Sequence, residues 1–347
     1  MKNSAARTFY QYLIIAVSVM LIIETGLEYR HYRLGYDTPI FGPQPEQSKP
    51  TQKSDTVSKY GPAKDFPFRS EIIPTEKNNN LRIWIASASH AYGGRVPPDK
   101  IFPNAICERL TPPIPCQSIN GSDNGMTIAG NIRLLRKYAP LYQPDYAILY
   151  QMSMIISDQQ RQLTQGTTSS QQTSNSIMDF SPAVKLFESL SLYVHLSDYI
   201  GNNIKLRGNL KERLPEAMDQ DFEENILTFI QACRELHIKP VLTTFALSHD
   251  LSNIDEMSRT EITNFVKYQA YLSPTGWIKT INHYNTLMKK IGTEQGVDVI
   301  DVGQALNGKP NYFIDYVHFT ADGHHIIAQV ISDTLNQILA QEPGRDI

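Results

Sequence analysis

The chain has 347 residues, which is enough for one large α/β domain with additional segments or for two small domains. Hydrophobic residues make up 41% of it and charged residues 19%, a composition typical of a globular protein and unlike that of a disordered one. The 32 basic and 35 acidic residues leave a formal charge of -3, which gives no electrostatic argument for nucleic acid or another polyanion as a partner.

The amino-terminal stretch, residues 1–33, predicts a membrane segment. Its apolar run from Tyr12 to Ile23 is short for a spanning helix, which needs about 20 residues, and its length also suits a secretory signal. No small-x-small cleavage site follows, which favours an uncleaved signal anchor, although a buried core helix is the alternative. Lys2 and Arg7 favour a cytoplasmic amino terminus, so we expect the remaining chain to be extracytoplasmic, either periplasmic or at the cell surface.

Two further segments differ in composition from the rest of the chain. Residues 34–80 are rich in Pro, Lys, Ser and Asn, which predicts a tether or a loosely draped linker. The globular pattern starts at Leu81 and continues to residue 347, except that residues 157–220 begin with a polar, low-complexity stretch. We interpret residues 157–220 as an insertion that forms either a lid or a surface excursion.

Strands alternate with helices through the globular part. Short apolar runs predict strands at 81–87, 116–120, 145–152, 239–247 and 297–302, and helical spacing predicts helices at 101–110, 125–142, 181–204, 222–238, 278–296 and 320–339. This alternation predicts a parallel sheet with helices on both faces. Ligands of such sheets bind at the carboxyl ends of the strands.

The three cysteines do not form a metal-binding or thioredoxin-like motif, because the sequence contains no C-x-x-C pair. Cys107 and Cys116 flank the Pro-rich loop "ERLTPPIP". They either close a small disulfide ring, if the compartment is oxidising, or are two buried thiols.

Polar side chains stand at the strand ends where a ligand would bind. Ser87 and Ser89 follow the first strand, and Asp315 and His318 lie three positions apart before the last helix. Acyl transfer needs a hydroxyl nucleophile, a base that takes its proton and an acid that orients the base. Asp315 is close enough in sequence to bond one ring nitrogen of His318, which leaves the other nitrogen for a serine. The alternative is that this pair forms only a helix-capping turn.

These residues resemble the motifs of the SGNH (GDSL-type) hydrolases, from Leu81 to about residue 340. The strongest match is "DYVHFTADGHHIIA", which is similar to the family's Asp-x-x-His block and the helix after it. Ser89, with Gly93 four residues later, stands where the family has its nucleophile block, and Gly125 in "INGSDNGMT" matches the glycine of the second block. The resemblance implies a three-layer α/β/α sandwich with a flavodoxin-like parallel sheet.

The resemblance also implies a role for each motif residue. Ser89 would be the nucleophile, His318 the base and Asp315 its orienting acid. The backbone N–H groups of Ser89 and Gly125 would bind the oxyanion of the transition state. The implied substrate is an acyl ester, and no cofactor and no metal are implied.

The chain departs from the family's pattern in two blocks. Ala88 replaces the Asp before the nucleophile, and the third block, "YQMSMIISD", lacks the Asn whose side chain completes the oxyanion hole. Met154 takes that position, or Ser153 after a shift of one residue, and methionine cannot donate a hydrogen bond. Three nearby residues are candidates for the missing donor: Asn124, Ser153 and His90.

The sequence is compatible with two functions of different classes. The first is a membrane-anchored, extracytoplasmic serine esterase or O-acyltransferase acting on an ester of an envelope glycan or lipid, a substrate inferred by analogy alone. The second is a catalytically degenerate relative that binds a glycan or a protein partner without turnover. The missing Asn and Asp motivate the second function.

Overall fold

The computed structural model describes residues 59–63, 66–111, 113–168, 210–269 and 271–341, together with residues 18, 22, 23 and 25. Apart from those four, the described residues belong to one unit, Ser58–Ser169 with Leu210–Ile347. Nearly all of the predicted anchor, the first part of the predicted linker and residues 169–209 of the predicted insertion lie outside the described residues. Within the described residues, no helix has the length and apolar character needed to cross a membrane.

Five parallel strands form a single sheet in the order β2-β1-β3-β4-β5. The strands are β1 (Leu81–Ser87), β2 (Cys116–Asn120), β3 (Tyr146–Tyr150), β4 (Lys239–Thr243) and β5 (Val299–Ile300). Every residue of β1 and β3 is buried, as expected for central strands covered on both faces. The strand order is that of a flavodoxin-like sheet, which confirms the predicted fold class.

Helices cover the sheet on both faces. They are α1 (Ser89–Tyr92), α2 (Phe102–Ala105), α3 (Ile128–Tyr142), α4 (Ser153–Thr168), α5 (Ala217–Glu235), α6 (Arg259–Tyr268), α7 (Pro274–Gln295), α8 (Val302–Leu306) and α9 (Ala321–Ala340). From β1 the chain crosses to β2 at one edge of the sheet, and from β2 it crosses back to β3, β4 and β5 in turn. These two directions of travel, with right-handed crossovers, put the connecting helices on opposite faces of the sheet. In one layer α3 packs against α5 and α5 against α7, while in the other α9 packs against α2 and α8.

The segment immediately before β1 is an integral part of the domain. Phe66, Phe68 and Ile73 are buried in the hydrophobic core. Arg82, buried in β1, donates hydrogen bonds to three carbonyls of this segment: Pro74, Thr75 and Glu76. The boundary that the sequence predicts at Leu81 is therefore too late, because apolar side chains upstream of it fill space beside the sheet.

The start of the predicted insertion is also more regular than its composition suggests. The polar stretch from Ser157 continues α4 as far as Thr168. Two glutamines of α4 are buried: the Gln159 amide donates to the Met218 carbonyl, and the Gln160 side-chain oxygen accepts from backbone N–H groups. After the buried Ile155 and Ile156, the buried positions 159 and 160 are hydrogen-bonded amides, so hydrophobic periodicity is weak from Ser157 onward.

Cys107 and Cys116 form a disulfide, with their Cα atoms 5.4 Å apart. The bond joins the turn after α2 to the first residue of β2. Cys233 is a buried free thiol on α5. Of the two alternatives that the sequence left open for Cys107 and Cys116, the structure has the disulfide.

Candidate active site

A cavity of about 580 Å³ opens where β1, β2 and β3 end. Its lining contains the serine that follows β1, the glycine from the loop after β2 and the serine that follows β3: Ser89, Gly125 and Ser153. The loop before α9 contributes Asp315 and His318 to the same cavity. The site thus lies at the carboxyl end of the sheet, as the strand pattern predicts.

Ser89, His318 and Asp315 form a continuous hydrogen-bonded chain. His318 Nε2 lies 2.8 Å from Ser89 Oγ, although the two residues are 229 positions apart in sequence. His318 Nδ1 lies 2.8 Å from Asp315 Oδ2 and 2.9 Å from its Oδ1. The fold therefore brings the three residues into the geometry of a nucleophile, a base and an orienting acid.

The Asp315 carboxylate is held in its ionised form by its surroundings. Its Oδ1 accepts the backbone N–H groups of Val317 at 3.0 Å and His318 at 2.9 Å, and Arg95 Nη1 lies 3.2 Å from Oδ2. Burial alone would raise the pKa of Asp315, but the His318 ring and the two backbone donors bring it down to about 2. The carboxylate is thus negative at neutral pH.

The charge on Asp315 determines which nitrogen of His318 carries the proton. An ionised carboxylate only accepts hydrogen bonds, so Nδ1 must donate to it. In neutral His318 the proton is then on Nδ1, and Nε2 is a bare acceptor for the Ser89 hydroxyl. This tautomer is the one in which histidine removes the proton from a nucleophilic serine.

Gly93 ends the short helix that carries Ser89. Its φ of +61° lies in the left-handed region, which a residue with a side chain rarely adopts. A Cβ at this position would also lie 2.4 Å from Ile101 Cγ2. The glycine four residues after Ser89 is therefore required for both conformation and space.

The Arg69 side chain binds the backbone of the turn that follows Ser89. Its Nη1 donates to the carbonyls of Tyr92 at 2.6 Å and Gly93 at 2.9 Å, and its Nη2 donates to that of Val96 at 2.6 Å. Three carbonyls of the turn are thus held by one planar guanidinium from the segment before β1. The Arg69 side chain fixes the end of α1 and so supports the position of Ser89.

The candidates for oxyanion donors differ in their surroundings. Gly125, with a φ of +66°, and Asn124 are both exposed in the loop after β2. Ser153 and His90 are buried, and Ser153 Oγ lies 3.0 Å from His90 Nε2. All four residues line the cavity together with Ser89.

Two further histidines near the base are neutral. Burial lowers the pKa of His90 and of His324 to about 3 in each case. The His90 ring stacks on that of His318, with centroids 5.6 Å apart, whereas His324 Nδ1 accepts the backbone N–H of Phe102 at 3.3 Å. No cluster of potential metal ligands occurs in the part of the chain that the structure describes.

Sequence reasoning missed several residues that build the site. Arg69 lies in a segment whose composition indicates a linker, and no local motif marks Arg95, which pairs with Asp315. Tyr268 and Trp277 line the cavity from α6 and α7. Helix α6 did have a signal, since Ser258 and Glu261 form a capping box at its start.

No family model matches the chain, and no curated protein matches it. Solved structures with some similarity include a lipolytic G-D-S-L family protein from Veillonella parvula DSM 2008. Its sequence identity to this chain is 12% and the TM-score is 0.43, and the alignment covers 74% of this chain and 99% of that one. A lipase/acylhydrolase from Enterococcus faecalis has 15% identity and a TM-score of 0.40, with coverage of 74% and 96%. An acetyl xylan esterase has 13% identity and a TM-score of 0.43, with coverage of 74% and 100%. The likeness to SGNH hydrolases therefore rests on this chain's own strand order, motifs and site geometry.

Proposed function

We propose that the protein is a serine esterase or acyltransferase that acts on an acyl ester through Ser89, His318 and Asp315. The observation that carries this proposal is the hydrogen-bonded chain from the Ser89 hydroxyl through the His318 ring to the Asp315 carboxylate. A serine hydroxyl is a poor nucleophile until a base accepts its proton, and this arrangement supplies both the base and its orienting acid.

The proposed reaction has two halves. His318 Nε2 takes the proton of Ser89 as Oγ bonds to the ester carbonyl carbon and the carbonyl oxygen becomes an oxyanion. As the oxyanion collapses, the bond to the leaving alkoxide breaks, His318 returns the proton to that oxygen, and the acyl group remains on Ser89. In the second half His318 removes a proton from water, for hydrolysis, or from an acceptor hydroxyl, for transfer, as that oxygen bonds to the acyl carbon. The bond between the acyl carbon and Ser89 Oγ then breaks, and His318 returns the proton to Ser89.

The substrate that we propose is an ester of an envelope glycan or lipid, handled outside the cytoplasm by a membrane-anchored enzyme. The apolar run in residues 1–33 and the disulfide of Cys107 with Cys116 support this location, because disulfides persist in oxidising compartments. Apolar and aromatic side chains in the cavity lining suit an acyl group: Met154, Trp277, Ile314, Tyr316 and Val317.

A binding protein without turnover is the second candidate, favoured by Ala88 and by the absence of an Asn in "YQMSMIISD". The hydrogen bonds of Asp315 and His318 argue against it, because a binding site has no need of a carboxylate that orients an imidazole toward a serine.

Turnover of para-nitrophenyl esters of increasing acyl length separates the two candidates. We expect wild-type protein to release nitrophenol with a preference among chain lengths, and Ser89→Ala to be inactive. An oligosaccharide acceptor should divert acyl groups from water if transfer is the natural reaction. Absence of turnover with every ester, in a folded wild-type sample, would favour the binding protein.

A further inference from the structure

A second polar pair lies beside the nucleophile and is not used by the triad. His90 is the residue after Ser89, and Ser153 is the first residue of α4, three positions after the last residue of β3. His90 is 2% exposed and Ser153 is 7% exposed, yet both line the cavity that holds Ser89. Ser153 Oγ lies 3.0 Å from His90 Nε2, so the two side chains share a hydrogen bond.

The direction of that hydrogen bond follows from the surroundings of His90. Because the ring is buried and neutral, it carries one N–H. Nδ1 is buried and has no hydrogen-bond partner among the described residues, and aromatic rings of Tyr150 and Phe245 pack against the imidazole. A buried N–H without an acceptor is rarer than a buried lone pair without a donor. The proton is therefore on Nε2 and is donated to Ser153 Oγ.

This direction leaves the hydrogen of the Ser153 hydroxyl free to donate elsewhere. Within the described residues, His90 is the hydrogen-bond partner found for Ser153 Oγ. Ser153 lines the same cavity as Ser89 and Gly125. An acceptor placed in the cavity, such as the oxygen of an ester under attack, can receive that hydrogen.

Ser153 lies in "YQMSMIISD", the block in which the chain departs from the family pattern that it otherwise resembles. The neighbouring Met154 has no hydrogen to donate. Asn124 carries an amide, but it is exposed in a loop and is not held by a buried partner as Ser153 is. A donor contributes most when it is held in place before charge develops. Ser153 is held by its hydrogen bond to the buried His90 and lines the same cavity as Ser89.

We propose that the Ser153 hydroxyl donates a hydrogen bond to the oxyanion formed by attack of Ser89, and that His90 is the positioning residue that turns the hydroxyl toward it. This inference rests on the proposed function and names a catalytic residue of the same site. No proton is transferred in this role: the hydrogen stays on Ser153, and its bond strengthens as negative charge grows on the carbonyl oxygen. The His90–Ser153 pair thus supplies the side-chain donor that the missing Asn would have given.

The first test compares Ser153→Ala with Ser153→Asn on a para-nitrophenyl ester. Loss of one oxyanion donor costs about 10²–10³ in kcat, and we expect Ser153→Ala to fall in that range with KM nearly unchanged. Ser153→Asn restores an N–H donor and should be at least about tenfold faster than the alanine variant, by the same reasoning. The matched control is Ser122→Ala, a buried serine outside the cavity lining whose hydroxyl has no partner among the described residues.

The second test addresses His90. His90→Phe keeps a ring but removes the N–H, and we expect kcat to fall about tenfold, as for loss of one ordinary hydrogen bond. His90→Gln retains a donor and should keep more activity. Because His90 acts through Ser153, His90→Phe should have little further effect in a Ser153→Ala background. A ring that only packs against His318 would instead give the same fractional loss in both backgrounds.

Thermal unfolding of each variant shows whether it is folded. The inference is overturned if folded Ser153→Ala keeps kcat within about threefold of wild type, well short of the loss expected for an oxyanion donor. If Ser89→Ala is inactive in that same experiment, the esterase proposal stands without the Ser153 role. If folded wild-type protein has no turnover, both proposals fail.

Discussion

At the scale of single residues, the orientation of the His318 ring depends on how Asp315 is held. Its oxygens accept hydrogen bonds from the backbone of Val317, from both the backbone and the ring of His318, and from Arg95. The same bonds that fix the direction of the imidazole lower the pKa of the carboxyl group to about 2. Asp315 therefore affects both the proposed catalysis and the stability of the fold.

Asp315→Asn should leave the fold intact but reduce kcat by roughly 10⁴, the size of effect known when the triad acid of a serine hydrolase becomes an amide. The physical reason is that an amide can donate to Nδ1, which favours the tautomer with the proton on Nε2. Steady-state kinetics with a para-nitrophenyl ester measures this. A variant with more than a tenth of the wild-type kcat would show that Asp315 does not orient the base.

The lowered pKa of Asp315 also predicts a pH dependence of stability. Because the folded value of about 2 lies below the ordinary value of 3.8, the ionised carboxylate stabilises the fold above about pH 4. This stabilisation, about 2 kcal/mol, is lost as the pH falls through 2. Urea unfolding between pH 5 and pH 2 should therefore show a smaller decline of the unfolding free energy in Asp315→Asn than in wild type. Parallel declines in the two proteins would contradict the assigned pKa.

At the scale of secondary-structure elements, the segment before β1 supports the turn after the nucleophile. Arg69 binds three carbonyls between α1 and the following turn, at 2.6 Å to 2.9 Å. A lysine at this position has one ammonium group and cannot reproduce the planar fork. The position of Ser89 thus depends on a residue outside the motif that contains it.

Arg69→Ala should lower kcat/KM by about 10–100-fold, because small displacements of a reacting group can cost that much in rate. Arg69→Lys should be intermediate. Arg136→Ala is the control, since Arg136 makes a surface ion pair with Glu235 on another helix. Equal activity of Arg69→Ala and Arg136→Ala, in folded samples, would show that the contacts of Arg69 have no bearing on the site.

Much of the element order could be predicted from the sequence, because the strands are short apolar runs and the long helices have clear spacing. The triad could be predicted because its residues stand in local motifs at strand ends and before α9. Arg69 could not, since its contacts with the turn depend on the tertiary fold. Helix α6 was missed although its capping box is visible, because its short amphipathic pattern lies next to polar residues.

The helix predicted at residues 101–110 is shorter in the structure. The structure has α2 at Phe102–Ala105 and a separate 3₁₀ turn at Cys107–Arg109. The disulfide between Cys107 and Cys116 joins this turn to β2 nine residues later. Helical spacing alone does not show that a covalent bond draws the chain back toward the sheet.

At the scale of the whole molecule, the domain begins before its first strand. Phe66, Phe68 and Ile73 are each at least 92% buried. Full burial of such a side chain contributes about 1.5–3 kcal/mol, and a domain has only about 5–15 kcal/mol of net stability. Loss of the burial of these three side chains would therefore remove free energy comparable with the whole net stability.

A chain that begins at residue 81 should consequently be much less stable than one that begins at residue 59. We expect the longer chain to unfold cooperatively, and the shorter one to unfold at a far lower temperature or to lack cooperative unfolding. Thermal unfolding followed by near-ultraviolet circular dichroism compares them. Equal midpoints would show that residues 59–80 add nothing to the domain.

The proposed function requires that His318 activate the Ser89 hydroxyl. The most direct measurement is covalent labelling with a fluorophosphonate, followed by mass spectrometry of the peptide that carries the label, in wild-type protein, Ser89→Ala and His318→Ala. We predict that the label is on Ser89, is absent from Ser89→Ala and forms far more slowly in His318→Ala. A folded wild-type protein that takes no label, or a label that persists in Ser89→Ala, would contradict the proposed function.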